Sequence, residues 1–279
     1  MSRPTETNVA EFRDLGYTLI PEFYNVSDDI APIQEGIRKI VELMLKKYRV
    51  SAPCGTHEEA MTLGYPALIR ENRAWGGEVY DAIKQIPAFV RLVSTARNDE
   101  VFKALRSGSV PGLAAGGYGI RIDNPSEDKF RALWHQEFPA QLRSVDGMVF
   151  WSPLLQMTPD MGPVQIAVGS HSGGLVPVYE DDGGIGKSGA YALRLDSEAE
   201  HLAQYDIVAP CTNPGDLVLM DFLTLHQSGA NVSNRPRWSM QFRYFNFQDP
   251  IGIKIGWAGS YAAGQRFEDI LPELKAPGA

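Results

Sequence analysis

Through the first hundred residues the apolar positions recur at the spacing of helices. Val9, Phe12 and Leu15 share one face of a helix over 8–15, and Gly16 stands where that helix would end. Tyr17-Thr18-Leu19-Ile20 then alternates and stops at Pro21, which predicts a short strand. Ser27 with Asp28 and Asp29 reads as the start of a longer helix, because a hydroxyl cap and early acids suit a helix N-terminus. Ile30, Ile33, Ile37, Ile40 and Met44 give that helix one apolar stripe. Between 51 and 107 the pattern predicts helical pieces broken by Gly and Pro, among them 76–86 and 89–96, with no repeat and no linker.

From Gly116 onward the pattern changes to short alternating segments with frequent turns, as in an antiparallel sandwich or barrel. Strands are predicted at 118–122, 148–155, 164–168, 205–208, 217–220 and 238–247. In the last of these, alternation puts Trp238, Met240, Phe242 and Tyr244 on one face and Arg237, Ser239, Gln241 and Arg243 on the other. Helices first and strands later predict an α+β or mainly-β chain, a single domain over 1–279 with a helical part to about 115 and a β core over about 116–250. The Asp- and Gly-rich stretch 179–189 reads as a surface loop.

Composition narrows the function. The chain is 44% hydrophobic and 22% charged, ordinary for a globular protein, and its net charge of -8 argues against nucleic acid or an anionic membrane as partner. A local basic pocket stays compatible with that total. Cys54 and Cys211 form neither a disulfide framework nor a metal-spaced pair. The N-terminus lacks the apolar run of a signal peptide and no stretch is long enough to span a bilayer, so a cytoplasmic location is expected.

Candidate chemistry centres on His135-Gln136-Glu137. On a strand His135 and Glu137 would point the same way and form a two-pronged metal clamp. A His-x-acid match is weak alone, since chance supplies on the order of one in a chain of this composition. His57-Glu58-Glu59 also matches, but there Thr56 and Glu59 have the spacing of a helix capping box. His135 lies in the β-patterned half, and His226 downstream offers a second imidazole. Two imidazoles and one carboxylate are the facial set that holds non-haem Fe(II) with open positions. A lone histidine near a strand end is more often a satisfied core residue than a ligand. On the polar face of the last strand, Arg237 has the chemistry to grip a carboxylate through a bidentate pair.

Taken together, these pieces resemble the phytanoyl-CoA dioxygenase family of Fe(II)- and 2-oxoglutarate-dependent oxygenases, which includes ectoine hydroxylase. The matching stretches are Phe12 with Gly16–Pro21, Trp134-His135-Gln136-Glu137-Phe138, Thr158-Pro159-Asp160-Met161-Gly162-Pro163 leading into Gly169-Ser170-His171, and Gly215-Asp216-Leu217 through His226, Ser228, Gly229, Asn231 and Ser233 to Arg237. The 11-residue step from His226 to Arg237 is the family's spacing. The resemblance implies a double-stranded β-helix (jelly-roll, cupin-like) core with flanking α-helices. It implies that His135, Glu137 and His226 hold iron, that Arg237 anchors 2-oxoglutarate with help from Ser228, Ser239 and Trp151, and that O2 is the third reagent. Arg121, Tyr118 and Arg243 are then the residues expected near a small-molecule substrate, which would be hydroxylated with release of succinate and CO2. Most of the family has aspartate where this chain has Glu137, and a carboxylate there argues against halogenation. The alternatives are a cupin-like metal enzyme that does not use 2-oxoglutarate, and a non-catalytic binding protein on the same scaffold; neither needs Arg237.

Overall fold

In the computed structural model, which describes residues 3–181, 192–259 and 266–276, the chain opens with helix α1 (Glu6–Leu15). Thr5 and Asn8 exchange capping hydrogen bonds at its start, and Gly16 ends it in the left-handed region at φ 75°. A Cβ at Gly16 would lie 2.5 Å from the His171 ring and from the Thr224 hydroxyl, so glycine is what lets these two segments meet the end of α1. Helix α2 (Ala31–Tyr48) follows a π-helical turn, Val26–Ile30. That turn is capped not by the expected Ser27 but by Asn25, whose side chain accepts from the Asp28 N–H. The buried stripe runs through Ile33, Ile37, Val41 and Leu45, while Ile40 and Met44 pack only partly against the core. Thr56 and Glu59 form the capping box read from the sequence. Shorter helices at Tyr65–Glu71, Arg73–Ile83, Pro87–Val93 and Ala96–Leu105 complete the helical part.

Among the described residues eleven strands carry the rest: β1 (Tyr17–Ile20), β2 (Pro111–Leu113), β3 (Gly119–Asp123), β4 (Gly147–Pro153), β5 (Val164–Ala167), β6 (Val178–Glu180), β7 (Leu193–Leu195), β8 (Ile207–Val208), β9 (Leu217–Asp221), β10 (His226–Ser228) and β11 (Arg237–Asn246). The larger sheet runs β1-β9-β4-β11-β2, with β3 also on β11; a second joins β10-β5-β8, and β6 pairs with β7, all antiparallel. This is the expected jelly-roll arrangement of antiparallel sheets with flanking helices, although no ladder closes it into a barrel among the described residues. The expected loop over 179–189 lies mostly outside the described residues; its first residues belong to β6.

Strand alternation divides the large sheet into two environments. Met148, Phe150, Leu217, Leu219, Trp238, Met240, Phe242 and Tyr244 join one core with the α2 stripe and the neighbouring helices. Trp238 donates its indole N–H to the Met61 carbonyl at 3.0 Å, and Tyr244 its hydroxyl to the Val93 carbonyl at 3.0 Å, so the polar atoms buried with these rings are satisfied. The opposite face, with Val149, Trp151 and Met220, turns toward β5, where Val164 and Ile166 share its core. Between the two sheets, on this second side, lies the site.

Candidate metal centre

His135 and His226 face each other as an isolated antiparallel bridge, each N–H bonded to the other's carbonyl at 3.1 Å. Their rings come within 4.3 Å, centroid to centroid. Each Nδ1 lies against a backbone carbonyl, His135 on Leu133 at 2.7 Å and His226 on Thr224 at 2.9 Å. A carbonyl only accepts, so the proton of the neutral ring sits on Nδ1 and the Nε2 lone pair is left bare. Burial pushes both imidazoles below the usual histidine range, His226 down to about 3, which keeps them neutral and metal-competent at neutral pH.

Glu137 reaches the same point by a different route from the one its spacing implied. It does not share a strand with His135; it is the first residue of a short helix, Glu137–Gln141, with its N–H on the Phe222 carbonyl at 2.8 Å. Proline at 139 is tolerated there because first-turn N–H groups have no helical partner. Between the two, Gln136 points away and is pinned at three places: its Nε2 donates to Gly174 O and Leu223 O, each at 2.7 Å, and its Oε1 accepts from Val176 N–H at 2.8 Å. Fixing Gln136 fixes the direction in which its neighbours leave the chain. Burial pushes the Glu137 carboxyl up, but the Arg243 guanidinium beside it wins and holds it down at about 2. One donor atom from each of His135, Glu137 and His226 lies within 4.8 Å of the others. Two neutral imidazoles and an ionised carboxylate suit a divalent first-row metal.

A cavity of about 310 Å³ opens onto these three side chains. Of the other residues singled out in the sequence, Trp151, Ser228, Arg121, Tyr118 and Arg243 line it. Arg237 and Ser239 do not line it, although they belong to the same face of β11 as Gln241 and Arg243, which do. Both are buried, and Arg237 Nη1 and Ser239 Oγ have no hydrogen-bond partner among the described residues. Unsatisfied donors at such depth mark a place built for an acceptor, so this pair fits an incoming carboxylate. The remainder of the Arg237 fork is on Asp123, which sequence reasoning passed over. Arg131, Arg194 and Lys84 on the cavity wall were also missed, since nothing in their local sequence marks them. His171 donates through Nε2 to the Arg13 carbonyl at 2.9 Å, away from the metal group.

Residues 120–239 match the profile of the phytanoyl-CoA dioxygenase (PhyH) family, a segment containing His135, Glu137, His226 and Arg237. The ectoine dioxygenase of Sphingopyxis alaskensis is 27% identical over 195 residues, which cover 63% of this chain and 61% of that protein, so the match spans about three fifths of that relative's length. The crystal structure of EctD from S. alaskensis with 2-oxoglutarate and 5-hydroxyectoine superposes with a TM-score of 0.57 at 17% identity, over 88% of this chain and 77% of that one. The α-ketoglutarate-dependent carbocyclase SnoK from nogalamycin biosynthesis superposes with a TM-score of 0.55 at 16% identity, over 92% of each chain. The chain is thus PhyH-like in sequence across residues 120–239 and shares the jelly-roll fold of these structures over most of its length.

Proposed function

We propose that this chain is a non-haem Fe(II)- and 2-oxoglutarate-dependent dioxygenase, a hydroxylase acting in the cytoplasm on a C–H bond of a small-molecule metabolite, and that 1–279 forms one domain. The observation that carries the reading is the convergence of His135, Glu137 and His226 on one cavity wall, with bare imidazole lone pairs and an ionised carboxylate. Iron bound there would couple oxidative decarboxylation of 2-oxoglutarate by O2 to oxidation of the substrate, releasing succinate and CO2.

The chain's own residues supply placement. His135 and His226 present Nε2, Glu137 presents one oxygen, and three protein ligands leave open positions for reagents. Arg237 Nη1 and Ser239 Oγ receive the distal carboxylate of 2-oxoglutarate, flanked by Ser228 and Trp151. Arg121 and Tyr118 lie on the wall where substrate would sit, and the apolar Val149, Val164 and Met220 keep water from the reacting carbon. On the cavity wall Arg243 is paired with Glu137 and Arg121 with Asp123, and Lys84, Arg131 and Arg194 add to a cationic lining in a chain of net charge -8. The acids paired with Lys84 and Arg131, Asp81 and Asp128, are 75% and 74% exposed, so solvent screens them and they offset little of the charge inside. A substrate bearing a carboxylate or phosphate is the class this wall would draw in.

One observation favours a metal enzyme without 2-oxoglutarate: Asp123 already occupies much of the Arg237 fork. Turnover separates the two readings. Purified protein with Fe(II), O2 and a panel of organic acids is expected to form succinate only when 2-oxoglutarate is present, with His226→Ala inactive. Oxidation of any panel member without 2-oxoglutarate would favour the second reading.

A further inference from the structure

We propose that Arg243 is a positioning residue for the metal carboxylate, holding one oxygen of Glu137 so that the other faces the two imidazoles. This rests on the reading of His135, Glu137 and His226 as ligands. The geometry is asymmetric. Arg243 Nε donates to Glu137 Oε1 at 2.9 Å and Nη2 donates to Oε2 at 3.3 Å, while Nη2 also lies 2.7 Å from Oε1. The guanidinium therefore holds Oε1 the more closely and Oε2 by its longest bond, so Oε2 is the oxygen freer to turn to a cation.

Arg243 is itself fixed. It is 9% exposed, and its guanidinium donates to the Gly117 carbonyl at 3.3 Å and to Gln241 Oε1 at 3.4 Å. Its strand is paired on both sides: β4 runs along one edge, with Val149 opposite Arg243, and on the other edge the Ala114 N–H donates to the Arg243 carbonyl at 2.9 Å. A rigid donor fork on a central strand thus removes the rotational freedom that a glutamate, with its extra methylene, would otherwise bring to a metal site. The length of the side chain matters for the same reason. An aspartate in place of Glu137 would end about 1.5 Å short, one C–C bond, and could not keep one oxygen on Arg243 while presenting a second to the imidazoles.

Charge alone predicts the opposite behaviour. A guanidinium beside a dication repels it, so if Arg243 acted only as a charge, removing it would tighten metal binding. The positioning role predicts that removing it loosens binding. Arg243→Lys separates the two, because it keeps the charge and loses the fork. Arg243→Met removes both, and Glu137→Asp approaches the pair from the other side.

The test is Co(II) binding to the full chain under argon, followed by titration calorimetry and by the visible ligand-field spectrum. Folding of each variant is checked by circular dichroism. Wild type is expected to bind one Co(II); Arg243→Lys, Arg243→Met and Glu137→Asp are each expected to bind about 10- to 100-fold more weakly, with an altered spectrum. Combining Arg243→Lys with Glu137→Asp is expected to lose no more than the worse single change, because both disrupt one pair. Wild-type affinity and spectrum in Arg243→Lys, tighter binding in Arg243→Met, or additive losses would overturn the role of Arg243. Should Arg243→Met fail to fold, Arg243→Lys and Glu137→Asp still decide the matter. A wild-type protein that binds no Co(II) overturns the ligand assignment itself, an outcome distinct from all of these.

Discussion

Asp123 lies directly across the ladder from Arg237 and meets its guanidinium at 2.7 Å, with the two side chains 10% and 2% exposed. The same carboxylate accepts from Arg121 at 3.0 Å, so one acid serves two buried cations. Neighbouring guanidiniums hold the Asp123 carboxyl below the usual range despite its burial.

Asp123→Asn removes the carboxylate that Arg121 and Arg237 share. Breaking a buried pair from one side costs about 3–5 kcal/mol, and the unfolding temperature of the ligand-free protein is expected to fall accordingly. A 2-oxoglutarate carboxylate would replace what was removed, so the cosubstrate is expected to raise the melting temperature more in Asp123→Asn than in wild type. Differential scanning fluorimetry with and without 2-oxoglutarate checks this; an equal shift in the two proteins counts against Arg237 as the anchor.

This pair marks the limit of what the sequence makes legible. The polar face of β11 can be read directly, because alternation has a period of two and Arg237, Ser239, Gln241 and Arg243 fall on it. The partnership of Asp123 with Arg237 spans 114 positions and depends on the register of β3 against β11, which no local pattern carries. The convergence of His135, Glu137 and His226 is legible in its members but not in its geometry: Glu137 opens a helix, and His135 meets His226 through a bridge rather than a regular strand. Pro139, within the first turn, was the local sign of that helix start. The weak strands β2, β6, β7 and β10 escaped notice because three residues are too few to show a period.

Acid is expected to destabilise the metal-free protein in two overlapping steps. His226 has a folded pKa of about 3 against an ordinary 6.5, and Glu137 one of about 2 against 4.5. Each binds fewer protons folded than unfolded, so stability falls as pH falls, from 6.5 downward through His226, with His135 shifted in the same direction, and from 4.5 downward through Glu137. Urea titrations across this range are expected to show the slope, and His226→Gln to flatten it between pH 6.5 and 4.5. An unchanged slope in that variant would place the titration elsewhere.

The turn at Gly162 couples β5 and β10, the second of which begins at His226. It has φ 66°, and a Cβ there would lie 2.4 Å from the Ala230 carbonyl oxygen and 2.5 Å from Gly229 backbone atoms. Gly229 N–H bonds to the Pro163 carbonyl at 3.1 Å, next to the Ser228–Val164 pair. Gly162→Ala combines a left-handed conformation with a backbone clash and is expected to cost at least about 1–2 kcal/mol, read as a lower urea midpoint with unchanged slope.

Cationic lining has a kinetic signature. With any acid-bearing substrate that stimulates succinate formation, Arg131→Gln is expected to raise the KM for that substrate several-fold while leaving the KM for 2-oxoglutarate unchanged. The matching neutral amide is expected to be the poorer substrate by a similar factor. Equal turnover of acid and amide would remove the case for an anionic substrate.

The most direct test of the central claim is the visible absorption of the protein with Fe(II) and 2-oxoglutarate in the absence of oxygen. Chelation of 2-oxoglutarate by iron held by His135, Glu137 and His226 is expected to give a metal-to-ligand charge-transfer band, absent from His226→Ala and from protein given Fe(II) alone. No band in the wild-type protein, or an undiminished band in His226→Ala, would contradict the account.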